Sequence, residues 1–157
     1  MIVESGDLDE TDEHQRFAVY LRAFDQVSED EEFALVARVL EDPDAAMGGS
    51  AVLRHLDRRA ESLLLVEDRM AWMQAMAEVV AARPFLVERL HEWSLFRAVT
   101  LGQPWSQDAL VAASNWLQLK IAEGPCPGEA AVILAEAGRT KRIRNAARVT
   151  LNRRDRG

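Results

Sequence analysis

The chain has 157 residues, 48% of them hydrophobic and 29% charged, with a formal net charge of -7. That length suits one domain burying roughly 70% of the surface its unfolded chain would expose, and the apolar content excludes wholesale disorder. One cysteine, Cys126, excludes an internal disulfide, and no apolar run reaches the roughly 18–20 residues that cross a bilayer.

Even residues 71–82 are interrupted by Gln74 and Glu78. The first residues have no basic start and no apolar stretch, so no secretory signal and no membrane partner are expected, and a cytoplasmic setting is the default. The charge is two-ended. Residues 1–44 carry fourteen Asp/Glu against Arg16, Arg22 and Arg38. The last nineteen carry Arg139, Lys141, Arg142, Arg144, Arg148, Arg153, Arg154 and Arg156 against Asp155. Such a field steers a charged partner, or draws the two ends toward each other or toward a second copy.

Residues 1–10 are acidic with few apolar anchors and read as a flexible lead-in. Thr11 is placed to cap a first helix, with Phe17, Tyr20, Leu21 and Phe24 on its buried side; packing accounts for Tyr20. Ser28 and Glu31 have the spacing of a capping box. The four acids from Glu29 to Glu32 spread around one turn, so they read as charge at a helix N-terminus rather than as a metal site. Phe33, Val36, Ala37 and Leu40 recur at helical spacing until Asp42-Pro43-Asp44 stops the helix.

The stretch Leu40-Glu-Asp-Pro-Asp-Ala-Ala-Met-Gly-Gly-Ser-Ala-Val-Leu-Arg-His-Leu56 resembles a HEAT-type repeat. In that pattern an apolar helix ends at an Asp-Pro-Asp turn, and a second helix presents an apolar residue and a small alanine four apart. Met47 and Ala51 occupy those two places. Gly48-Gly49 depart from the pattern, at about 2 kcal/mol relative to alanine inside a helix. They predict either a late start at Ser50 or a distorted first turn. His55 reads as a surface or boundary histidine, since no second histidine stands at a ligand spacing.

Residues 70–82 are apolar around most of a helical circumference, which predicts a central helix with Trp72 and its methionines in the core or lining a groove. Pro84 starts another helix carrying Phe85, Leu86, Leu90, Trp93 and Phe96. His91-Glu92 is half of a zinc-protease signature, but Leu95 stands where the second histidine is needed. Ser106 caps a helix running to Ile121, with Trp105 and Leu110 at staple spacing. Gly124-Pro-Cys-Pro-Gly128 ends it. A last pair follows, 129–137 and 139–151, in which Ile143-Arg144-Asn-Ala-Ala147 resembles the second-helix pattern of the same family, now with its basic residue.

The resemblance implies an all-α fold: a right-handed stack of antiparallel helix pairs, a HEAT-like α-α superhelix of about seven or eight helices. It would fill one domain, residues 11–153, with 154–157 as a flexible tail. It also implies a concave face that binds another macromolecule, and it transfers no catalytic residue.

The sequence holds no Gly-rich phosphate loop, nucleophile elbow, HExxH or paired cysteines. It assigns no catalytic residue, no cofactor and no metal ligand, and it leans away from an enzyme. The expected function is a non-enzymatic protein-protein interaction module or small adaptor. Arg139, Arg142, Arg144 and Trp72 are its candidate partner-binding residues. Nucleic-acid binding through the basic C-terminal helix is the alternative, disfavoured by the acidic total. An enzyme with an unrecognised site comes third. The oligomeric state is left open by the sequence.

Overall fold

The computed structural model describes the backbone of residues 5–156 and the side chains of residues 12–156. Residues 1–4 of the expected lead-in and Gly157 of the expected tail lie outside the described residues. Among those described there is no strand, and nine helices follow in order: α1 (Ser5–Gln26), α2 (Glu32–Leu40), α3 (Ala45–Ser62), α4 (Arg69–Val79), α5 (Pro84–Thr100), α6 (Gln107–Ala112), α7 (Asn115–Glu123), α8 (Gly128–Ala137) and α9 (Lys141–Asp155). No helix among the described residues is long and apolar enough to cross a membrane. The chain divides into two compact units, Met1–Leu90 and His91–Gly157, with the division falling inside α5.

In the first unit α1 packs on α2 and α3, and α2 packs on α3 and α4. α1 already begins at Ser5, so Thr11 lies within the helix instead of capping it. The core gathers Phe24, Leu35, Val36, Val39, Ala51, Val52, Leu56, Trp72 and Met76, all buried.

The Asp-Pro-Asp turn is held more firmly than an ordinary loop. Asp42 is buried and accepts from Arg16 Nε at 3.1 Å, Arg16 Nη2 at 3.2 Å, the Tyr20 hydroxyl at 2.6 Å and the Asp44 amide at 2.9 Å. The Tyr20 hydrogen bond, against the opposing effect of burial, holds the Asp42 carboxyl below its ordinary range, and the same bond raises Tyr20. Tyr20 therefore has a polar task beyond packing. Asp44 then caps α3, accepting from the Met47 amide at 3.0 Å.

α3 starts at Ala45, so neither a start at Ser50 nor a disrupted first turn is observed. The two glycines are buried points of close approach. A Cβ on Gly48 would lie 2.6 Å from the Val39 carbonyl oxygen, and one on Gly49 would lie 2.7 Å from Cζ of Phe85. Their missing side chains let α3 lie against the end of α2 and the start of α5.

Two further expectations are corrected here. The Ser28 capping box does not form: residues 29–31 make a turn, α2 begins at Glu32, and its N-cap Glu31 makes no side-chain cap bond. α4 is not central. It packs on α2, buries Trp72 and Met76 and leaves Met70 51% exposed, because its neighbours cover only one side of an apolar circumference.

In the second unit α6 and α7 pack on α8, and α7 and α8 pack on α9. The core runs through Val99, Leu110, Leu117, Ile121, Ala130, Leu134, Ile143 and Ala147, with Trp105 packed against it. Ser106 caps as expected, accepting from the Ala109 amide at 3.3 Å. The helix expected from there to Ile121 is broken in two.

The break has an identifiable cause. Ser114 is turned outward from a continuous helix to meet the buried Glu92, donating its amide at 2.9 Å and its hydroxyl at 2.8 Å to the carboxylate. The same hydroxyl accepts from the Leu117 amide at 3.2 Å and caps α7. Gln118, fully buried, donates to the Leu110 and Val111 carbonyls at the end of α6, at 2.9 and 3.0 Å, and accepts from the Arg139 amide at 2.9 Å. Every backbone group named here that the break releases has a side-chain partner.

Candidate partner-binding surface

Arg142 and Arg144 lie in the first turn of α9 and Arg139 just before its N-cap, Thr140, which accepts from the Ile143 amide at 3.1 Å. Ile143 and Ala147 turn inward at i, i+4, so the charged residues between them are forced to the flanks and the outer side. The structure then sorts these arginines into two kinds.

Three are used on backbone carbonyls at the edge of the helix pack. Arg144 donates to the Gly138 carbonyl at 2.8 Å, just past the end of α8. Arg148 donates to the Ala135 carbonyl at 3.3 Å, and Arg154 donates to the carbonyl of Cys126. At Ala135 and Gly138 a guanidinium satisfies oxygens that the end of α8 leaves without an intrahelical partner, and at Cys126 it satisfies a loop carbonyl.

The others carry their charge into solvent. Arg139, Lys141, Arg142, Arg153 and Arg156 are exposed. Arg142 has only a loose partner, Glu123, with Nη2 to Oε1 at 3.8 Å and the two side chains 76% and 55% exposed. Such a contact is worth little in water. Arg139 and Arg142 are therefore available to a partner, while Arg144 is half-buried and engaged.

Trp72 belongs to the other unit and has a different environment. It is 7% exposed, its Nε1 donates to Glu32 Oε1 at 3.1 Å, and the Arg59 guanidinium stands 5.7 Å from the ring centroid. Thus the three arginines share one locality and Trp72 is a core residue of the first unit.

Sequence reasoning missed the polar cluster around that tryptophan. Glu32 is buried, and besides Trp72 it accepts from His55 Nε2 at 2.6 Å and from Arg59 through Nε at 2.8 Å and Nη2 at 3.3 Å. Burial pushes its carboxyl upward, but the His55 and Arg59 hydrogen bonds outweigh it and hold the group below its ordinary range. His55 is no boundary residue: it is 3% exposed, stacks on Phe24 at 4.3 Å and 15°, and its Nδ1 is buried without a hydrogen-bond partner. The pairing resembles an oriented general base in outline, with Nδ1 buried. Its chemistry is that of a fixed ionic core contact. The signal in the sequence was the i, i+4 pair His55 and Arg59 on the apolar side of α3, opposite an acid at the start of α2.

In the second unit Trp93 meets Phe96 and Trp116 edge to face, each with centroids 5.5 Å apart. The Lys120 ammonium stands 5.2 Å from the Trp93 ring and 5.1 Å from Phe96. That places a cation on these aromatic faces from within the chain. Cys126 is buried, with its thiol pushed up to about 11 by desolvation, so it stays protonated and unreactive near neutral pH. Comparisons with family models, with curated proteins and with solved structures give no match.

Proposed function

We propose that this chain is a non-enzymatic interaction module of HEAT-like helical-repeat type, which binds an acidic protein partner through the exposed basic side of α9. The observation that carries the reading is the division of labour among the C-terminal arginines. Structure needs Arg144, Arg148 and Arg154 for carbonyls. It leaves Arg139, Lys141 and Arg142 exposed around the start of α9, and Arg153 and Arg156 exposed at its end. Concentrated charge of one sign selects and orients a complementary partner.

The repeat reading is supported by the packing order. Within each unit helices touch those one and two places along the chain: α1 with α2 and α3, α2 with α3 and α4, α7 with α8 and α9, α6 with α8. Stacked helix pairs give that adjacency, since each helix meets its own partner and its counterpart in the next repeat. Nucleic acid is the second reading, because exposed arginines also meet phosphates. The first unit weighs against it, with twenty Asp/Glu against nine Arg over residues 1–90.

The test is capture of partners on the tagged full chain from its own host, with a nuclease-treated parallel, repeated with R139E/R142E. A stoichiometric protein that survives nuclease and is lost with the double variant is the expected result. Thermal melting of the variant should stay unchanged, since neither guanidinium is needed for the fold. Recovery of nucleic acid, or loss of every partner on nuclease treatment, would overturn the reading.

A further inference from the structure

The second unit holds an open cleft of about 740 Å³ where α5 and α7 end and the last turns of α9 pass the loop before α8. Leu101 and the buried Cys126 give it an apolar floor. Thr150, also on its wall, is committed elsewhere, donating its hydroxyl to the Ala122 carbonyl at 2.6 Å.

The rim is charged, and unevenly so. Arg154 donates to the Cys126 carbonyl and so pins the loop that shapes the cleft. Arg153 is exposed and has no hydrogen bond or ion pair among the described residues. Glu123 is the one acid in the lining, and Arg142 stands 3.8 Å from it. With Arg153 and Arg154 against Glu123, two cations to one acid, the lining is positive on balance. Its shape matters equally. Leu101, Gly102, Glu123, Pro125, Arg153 and Arg154 are all exposed, whereas pockets for small ligands bury most of the ligand's surface. An open groove with an apolar floor and a cationic rim fits a length of chain with one anchor side chain.

We propose that this cleft seats an acidic segment of the partner protein, with a bulky apolar side chain on Leu101 and Cys126 and an adjacent carboxylate on Arg153. The inference rests on the interaction reading above and adds the place and chemistry of recognition. An apolar anchor surrounded by polar contacts is the usual distribution of energy in such interfaces.

A phage-displayed random peptide library panned on the immobilised full chain tests it. Selected sequences should carry Asp or Glu beside Leu, Ile, Phe, Met or Trp. A fluorescein-labelled selected peptide should bind roughly tenfold or more weakly to R153E, where an attractive rim charge becomes repulsive, and likewise to L101K. In amide NMR spectra it should shift Gly102 and Gly124, which lie in the cleft wall. Enrichment of nothing, enrichment of sequences without acids, or amide shifts confined to residues 139–145 would overturn the proposal. If R139E/R142E abolishes partner capture while R153E and L101K do not, the interaction reading stands and the cleft assignment falls.

Discussion

Glu32→Gln is the most searching perturbation of the first unit, because glutamine keeps the shape and removes only the charge. The wild-type carboxylate is an acceptor toward His55, Arg59 and Trp72 at once. A glutamine oxygen can still serve Trp72, but its NH2 then faces the His55 and Arg59 donors. His55 relieves the clash by moving its proton to Nδ1, a buried nitrogen without a partner. A flipped amide instead serves His55 and Arg59 Nε but leaves the buried Trp72 Nε1–H unpaired, so one buried donor is orphaned either way. That orphaned donor costs about 1–3 kcal/mol, and the lost charge-assisted bond to Arg59 adds about 1 kcal/mol, moderated because Arg59 is 23% exposed. A loss of about 3 kcal/mol near pH 7 follows, a large fraction of the stability of a small domain. The pH dependence gives the sharper check. Glu32 is held below its ordinary value of 4.5, so its contribution is present above that value and is lost as pH falls through the folded-state value. Urea titrations of both proteins should therefore show a gap that is full at about pH 5 and narrows as pH falls through the lowered folded-state value, where the wild-type carboxyl also becomes neutral. A gap that does not change over this range, or a variant as stable as wild type, would refute the reasoning.

Gly48→Ala and Gly49→Ala should diverge although both gain about 1 kcal/mol of helix propensity. The new Cβ at 48 meets backbone, the Val39 carbonyl, and overpacking of about 1–3 kcal/mol makes the variant less stable in urea; at 49 it meets the half-exposed Phe85 ring, which can turn aside, leaving stability near or above wild type. Equal midpoints for the two would contradict the close-approach account. Ser114→Ala removes the cap of α7 and one bond to buried Glu92, about 2 kcal/mol, while Ser106→Ala at the exposed start of α6 loses about 1 kcal/mol. Thermal melts in which Ser106→Ala is the more damaging would show that the break before α7 is not held by Glu92.

What the sequence made legible, and what it did not, follows one physical line. Local patterns were readable: the Asp-Pro-Asp stop, the Ser106 cap, the α9 stripe of Ile143 and Ala147, and the all-helical class are each set by residues within one turn of one another. Glu32, Ser114 and the paired glycines depart from the local pattern because of a distant partner. Glu32 looked like one of four acids at a helix start, but His55, Arg59 and Trp72 lie 23 to 40 positions away. Ser114 looked like a polar residue on a continuous helix until Glu92, 22 positions earlier, drew it out. Gly48-Gly49 looked like a weakness because the Val39 carbonyl that requires Gly48, and the Phe85 ring that rests on Gly49, are invisible to a helical window. The same holds for the candidate surface. Arg139, Arg142 and Arg144 read alike by charge, yet only the fold reveals that Arg144 is tied to Gly138 while Arg142 is displayed. Where an unusual residue in a helical chain has no local reason, the productive question is which carbonyl, carboxylate or ring elsewhere needs it.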